Sequence, residues 1–320
     1  MQAVVEVFNQ HTALPKMLKS AVAIGNFDGV HEGHLALIRA MLSYARTHAL
    51  TPAVLTFSPH PAQFFVPHVQ RKALMSESER LAAFETLGVE LVCLQTFDAA
   101  FASMSPNAFI KEVLLHDLGA QFVSVGFDFR YGHQRSGNLE LLAETLRANG
   151  RDLRIQKPVC HGEHKISSSE IRRLLESGLT EIAAQFLGWH YGLLGRVVSG
   201  DSRGRQLGYP TVNIDLPDQC IPANGVYCGW LQHAGRTYPA VANLGGQPTF
   251  GAEDRKRLEV HVLGINLPQI YGDEVCFRFL SRLRETIRFS TLDALQVQLS
   301  SDAQQANLLL SQHSLKVLGS

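Results

Sequence analysis

Long apolar runs, paired cysteines and an excess of one charge are all missing from this chain. No stretch of about 18 apolar residues occurs, and the N-terminus lacks a basic start followed by an apolar core, so neither a membrane-spanning helix nor a secretory leader is expected. The five cysteines, Cys93, Cys160, Cys220, Cys228 and Cys276, are odd in number and scattered, with no Cys-x-x-Cys. They read as reduced thiols of a cytoplasmic protein. Lys+Arg and Asp+Glu both number 29, so no basic field is available to recruit nucleic acid. There is no Gly-x-x-x-x-Gly-Lys-Ser/Thr, which excludes a P-loop ATPase, and no internal repeat or low-complexity tract. Hydrophobic residues do abound, at 45% of 320 residues, enough to build about two ordinary cores.

The two halves differ in period. In the first, strand-like segments (Ala21–Ile24, Pro52–Phe57, Val89–Phe97, Phe122–Gly126, Leu153–Val159) alternate with helical ones (Ser76–Leu87, Ser105–Leu118, Leu139–Ala148). Regular alternation predicts an α/β fold with a parallel sheet, whose ligands bind beyond the carboxyl ends of the strands. Two short helices, Ser169–Glu176 and Thr180–Leu187, close this half. In the second, six short strands are expected at Leu193–Val198, Thr211–Leu216, Val226–Gln232, Thr237–Ala242, Leu258–Leu263 and Val275–Leu280. With little helix between them they predict a small antiparallel barrel. Ser290 and Asp293 resemble a capping box, opening a final helix through about Leu310. The boundary is expected at 188/189.

Residues 24–34, Ile-Gly-Asn-Phe-Asp-Gly-Val-His-Glu-Gly-His, concentrate the chemistry. An apolar run ends in a turn carrying Gly25 and Gly29, and a helix with apolar positions Leu35, Ile38, Leu42 and Ala45 starts near Gly33. His31 and His34 thus sit one turn apart at a helix N-terminus, where free N–H groups and partial positive charge suit phosphate. A His-x-x-His pair also suits a metal, or two surface histidines, but no third ligand lies at an obvious spacing. Downstream, Ser167, Ser168 and Arg172 offer hydroxyls at a helix start with an Arg one turn on. That pattern fits an anion site or, equally, a capped helix with a surface Arg. In the second half, Thr211 and Asn213 fall on one side of a strand, with Val212 toward the core. Glu259 and His261 likewise share a face. His161 and His164 are read as surface residues.

Gly-Asn-Phe-Asp-Gly-Val-His-x-Gly-His resembles the signature of the bacterial bifunctional riboflavin kinase/FMN adenylyltransferase (FAD synthetase) family. Gly126-Phe127-Asp128-Phe129-Arg130-Tyr131-Gly132 is similar to that family's Gly-x-Asp-Phe-x-Phe-Gly loop, Ile166–Arg172 to its Ile-Ser-Ser-Thr-x-Ile-Arg, and Gly204–Asn213 to its kinase loop ending Pro-Thr-x-Asn. Ser58, Gln247 and Thr286 depart from its usual acidic residue, Arg and Glu. The resemblance implies a Rossmann-like nucleotidylyltransferase domain over 1–188 and a barrel kinase domain over 189–320. It implies ATP as co-substrate, riboflavin and FMN as acceptors, FMN and FAD as products, and Mg²⁺ as cofactor. Nucleotide binding falls to Gly25, Asn26, Phe27, Asp28, His31, His34, Ser168 and Arg172, with the two histidines catalytic. Flavin contacts fall to Asp128, Phe129 and Arg284, the metal to Thr211 and Asn213, and the kinase general base to Glu259. Small molecules are the expected partners, with neither nucleic acid nor membrane, in a monomer or weak homo-oligomer.

Overall fold

A computed structural model describes residues 6–8, 18–66, 72–199, 209–246, 256–265 and 267–319. The chain forms two compact units. The first holds the described residues before Lys72 together with Met75–Ser167 and Gly319; the second holds Lys72–Leu74 and Ser168–Leu318.

In the first unit the chain runs β1 (Glu6–Phe8), β2 (Ser20–Ile24), α1 (Glu32–His48), β3 (Thr51–Ser58), α2 (Pro61–Phe65), α3 (Glu77–Leu87), β4 (Leu91–Thr96) and α4 (Ala99–Ala102). It continues with α5 (Pro106–Ala108), a π-helical stretch Phe109–Asp117, β5 (Ala120–Gly126), α6 (Leu139–Ala148), β6 (Asp152–Gln156) and the strand pair β7 (Cys160–His161) and β8 (His164–Lys165). The sheet order is β1-β4-β3-β2-β5-β6, and its pairings are parallel. Central β2 is buried along its whole length, as a strand covered on both faces must be. From β2 the chain steps through β3 to β4 on one side, then crosses to β5 on the other. That reversal leaves a crevice outside the carboxyl ends of β2 and β5, where open α/β sheets take their ligands.

Two details differ from expectation. The sixth strand, β1, pairs with β4 and is three residues long, too short to show a period. The helix from Ser105 is capped as expected by the Ser105 hydroxyl and opens with Pro106, but from Phe109 it is π-helical.

The second unit contains α7 (Ser168–Glu176), α8 (Thr180–Leu187), β9 (Gly192–Val198), β10 (Val212–Ile214), β11 (Gly225–His233), β12 (Arg236–Gly246), β13 (Lys256–Val262), β14 (Glu274–Arg284) and α9 (Leu292–Gln312). The strands close into an antiparallel barrel in the order β10-β13-β12-β11-β14-β9. Inside lie Ile214, Tyr227, Leu231, Ala242, Leu244, Leu258, Val260 and Phe277, each fully buried. Val226, Cys228, Trp230 and Val241 alternate to the other face and pack with Ala306 and Leu310 of α9. The cap of α9 is Thr291, whose hydroxyl accepts from the Ala294 N–H, so the expected Ser290 cap is displaced by one residue. The expected kinase-loop residues Gly204–Gly208 and the departure at Gln247 lie outside the described residues.

Candidate active sites

The turn after β2 builds the first site. Gly29 has φ 87°, and the left-handed region also holds Phe27 (φ 51°) and Val30 (φ 37°), which a bulky or β-branched residue rarely adopts. The surroundings enforce it. The fully buried Phe27 ring meets Phe84 edge-on at 5.4 Å and His34 at 5.2 Å. The Asn26 carbonyl accepts from Arg80 Nη1 (2.9 Å) and from the Thr56 hydroxyl (3.3 Å). Strain held this way makes the turn a candidate site.

His31 is the N-cap of α1. Its Nδ1 accepts from the His34 backbone N–H at 3.3 Å, which leaves the proton of the neutral ring on Nε2. The two imidazoles stack with centroids 3.7 Å apart. A Cβ on Gly33 would stand 3.1 Å from the His31 ring, so glycine there keeps the stack open. Burial pushes the His31 pKa down to about 4, and the Lys165 charge adds to the shift. Burial, then the His31 and Arg80 charges, lower His34 well below its ordinary value. Both rings are therefore neutral near pH 7 and act as N–H donors rather than cations. Among the described residues no group of three or more His, Cys, Asp or Glu can hold a metal ion, so the metal alternative for His31 and His34 has no third ligand.

The loop after β5 faces the same crevice. Asp128 pairs with Lys165 at 2.9 Å, Lys165 lies 4.3 Å over the Phe127 ring, and Phe129 stacks on Tyr131 at 5.4 Å. Ser168 and Arg172 group with the second unit. Arg172 is buried, not a surface residue, and donates to the carbonyls of Lys72 (2.7 Å) and Ser168 (3.1 Å). His161 and His164 are exposed on the β7–β8 pair.

The second site lies on the outer face of the barrel. Asn213 of β10 stands directly opposite Glu259 of β13, so both side chains share a face, while Val212 faces Val260 toward the interior. Asn213 is buried and Glu259 half-buried. Thr211 is exposed and lies one residue before β10. The segment ahead of it is tied down by His261, whose Nδ1 donates to the Pro210 carbonyl at 2.9 Å. On β14, Arg284 holds the carboxylate of buried Asp302 in α9 through Nε (3.0 and 3.1 Å) and Nη2 (2.7 Å). Gln298 donates to the same carboxylate at 2.8 Å. Arg284 is therefore a fixed, oriented cation rather than a swinging one.

A FAD synthetase family model matches residues 15–170 and a riboflavin kinase model residues 187–310. The bifunctional riboflavin kinase/FMN adenylyltransferase of Escherichia coli K12 is 35% identical over 282 residues, covering 88% of this chain and 90% of its own length. The chain belongs to the bifunctional riboflavin kinase/FMN adenylyltransferase family. Its relative from Bacillus subtilis is 34% identical over 300 residues, covering 92% of this chain and 94% of that one. A crystal structure described as a macrolide-efflux protein from Streptococcus pneumoniae aligns with TM-score 0.87 at 30% identity, over 95% of this chain and 99% of that one. The efflux description belongs to that protein. In this member of the riboflavin kinase/FMN adenylyltransferase family, no described helix is long and apolar enough to cross a membrane.

Sequence reasoning missed Arg80, Lys165 and Asp302. Arg80 sits in a Ser-Glu-Ser-Glu-Arg run that reads as a solvated helix start, yet it is buried and braces the turn after β2. Lys165 lies on a strand of two residues, and Asp302 reads as one polar residue in a helix of mixed polarity.

Proposed function

We propose that this chain carries the two reactions of its family at the two sites just described. It is an enzyme of flavin cofactor biosynthesis: it phosphorylates riboflavin to FMN and adenylylates FMN to FAD, with ATP as donor. The reading rests on two constellations in one chain: a neutral His31–His34 stack at a helix N-terminus beside a sheet's switch point, and an Asn213–Glu259 pair on a closed barrel. We assign adenylylation to 1–188 and phosphorylation to 189–320.

In adenylylation an oxygen of the FMN phosphate attacks the α-phosphorus of ATP, the bond to the β-phosphate bridging oxygen breaks, and pyrophosphate leaves. The protein contributes position and donors. Gly25, Asn26, Phe27 and Asp28 shape the nucleotide turn, and the N-terminus of α1 and the imidazole N–H groups of His31 and His34 meet charge developing on the transferring phosphorus. Ser168 and Arg172 are assigned to the phosphates, and Asp128 and Phe129 to the flavin. In phosphorylation Glu259 takes the proton of the terminal ribityl hydroxyl as its oxygen attacks the γ-phosphorus, and ADP leaves. Thr211 and Asn213 supply a hydroxyl and a neutral amide oxygen, a hard donor set that fits Mg²⁺. Mg²⁺, when bound, neutralises phosphate charge there. Arg284, held by Asp302, is assigned to the flavin. Balanced charge and small-molecule substrates favour a cytoplasmic monomer or weak homo-oligomer with neither nucleic acid nor membrane as partner.

The test incubates the full chain with riboflavin, ATP and Mg²⁺ and separates the flavins by chromatography. FMN is expected first and FAD after it. Folded protein that leaves riboflavin and FMN unchanged, yet adenylylates a phosphopantetheine or nicotinamide nucleotide, overturns the reading.

A further inference from the structure

The barrel register lines up five residues, one per strand, around its outer face. Asn213 of β10 is opposite Glu259 of β13, Glu259 is opposite Asn243 of β12, Asn243 is opposite Val226 of β11, and Val226 is opposite Arg284 of β14. In the regular pairings from Asn213 to Val226, residues directly opposite one another point to the same side, about 5 Å per step; beside Val226 the β11–β14 register shifts, and Arg284 is placed by its ion pair with Asp302 of α9. Three of the five already have roles in the kinase reading: the metal ligand Asn213, the base Glu259 and the flavin contact Arg284. Val226 is buried in the cluster it forms with Ala306 and Leu310 of α9, so that helix covers the row there. Asn243 has no assigned role, and its Oδ1 is buried without a hydrogen-bond partner. An amide oxygen buried and unpaired costs about 1–3 kcal/mol, so such a group calls for a partner that arrives with a ligand.

We propose that Asn243 binds a secondary hydroxyl of the ribityl chain of riboflavin and so delivers the terminal hydroxyl to Glu259. This rests on the kinase reading and sharpens it. The pairing fits the substrate. The reacting hydroxyl belongs at Glu259, and Asn243 lies one strand step away, roughly 5 Å, within reach of the neighbouring part of the polyol before α9 covers Val226. Asn243 is the polar side chain on that stretch, and a polyol offers the O–H donors that its Oδ1 lacks.

The test uses the full chain with riboflavin and with the three analogues that each lack one secondary ribityl hydroxyl. Wild type is expected to lose roughly 10- to 100-fold in kcat/KM on one of the three, the usual range for leaving a buried polar group unpaired. Asn243→Ala is expected to lose a similar factor on riboflavin, to treat that analogue and riboflavin alike, and to keep its KM for ATP. Tryptophan fluorescence from Trp189 and Trp230, both in the second unit, reports that the variant barrel is folded, and Asn243→Ser, which keeps a small polar side chain, should fall between the two. Wild type that accepts all three analogues as well as riboflavin overturns the proposal without any variant. So does Asn243→Ala that discriminates among them as wild type does. If wild type leaves riboflavin itself unphosphorylated while adenylylating FMN, the kinase reading fails first and this proposal with it.

Discussion

The candidate histidines of the first unit sit in one stretch of chain, whereas the candidate residues of the second come from separate strands. Gly25 to His34 form a continuous turn and helix start, braced from outside at Asn26 and Phe27 by Thr56, Arg80 and Phe84. Asn213 and Glu259 lie far apart in sequence and meet only because the barrel closes in one register. The electrostatics differ in the same way. In the first site the imidazoles are neutral and the helix end supplies partial charge. In the second, full charges stand on side chains, and Arg284 is locked by Asp302. A site made of contiguous backbone can be damaged locally without touching the fold, while a site made of register fails when a strand slips.

Removing the histidines should separate the sites most sharply. His31→Ala with His34→Ala is expected to abolish FAD formation, since losing one such donor costs about 10²–10³ in rate. FMN formation from riboflavin should stay close to wild type. Steady-state assays of each half-reaction check this, and a double variant that still makes FAD at the wild-type rate removes both residues from catalysis. Glu259→Gln is the mirror experiment. It keeps size and hydrogen bonding but removes basicity, so kinase kcat should fall by roughly 10²–10⁴. Riboflavin Kd and conversion of supplied FMN to FAD should change little. Normal turnover in that variant would make Glu259 an ordinary half-buried strand residue.

Acid should blur the contrast, with the smallest effect. The second unit also holds a buried neutral histidine: His190 accepts from the Lys316 N–H at 2.9 Å, and burial pushes its pKa down to about 4. Its unfolded value is near 6.5. The unfolded chain therefore binds the extra proton first. The stability that neutrality contributes is full above pH 6.5 and is lost as pH falls toward 4. Between pH 7 and pH 5 the expected loss is about 2 kcal/mol. Both tryptophans, Trp189 and Trp230, lie in the second unit, so denaturant unfolding followed by tryptophan fluorescence reads this directly. His190→Gln should remove the difference, and a transition independent of pH in wild type would contradict it.

What the sequence reveals follows the same division. The strand–turn–helix at Gly25–His34 was legible because its signal is local: a run of apolar residues, glycines, then a helical period. The alternation of elements disclosed the parallel sheet, and turn clusters disclosed the six barrel strands. Asn243 was not legible, because its meaning comes from Glu259, sixteen residues on, and Val226, seventeen back, through pairings that no local pattern encodes. Arg80 was hidden for a related reason, since a charged helix start reads as solvated until the turn above it is in place. The π-helical stretch after Phe109 was equally invisible, as apolar spacing does not distinguish one hydrogen-bond step from the next.

Closure of the barrel has a further consequence, for association. A closed ring of strands offers no outer strand whose N–H and C=O groups await a partner, so another chain has no template there. The open sheet of the first unit ends in β1 and β6 and must protect both. β1 is three residues long, and β6 alternates Asp152 and Arg154 on exposed positions, with charges that disfavour a flush second strand. If this protein aggregates under stress, the sheet ends of the first unit are where strand addition begins, and neutralising Asp152 and Arg154 would remove that protection.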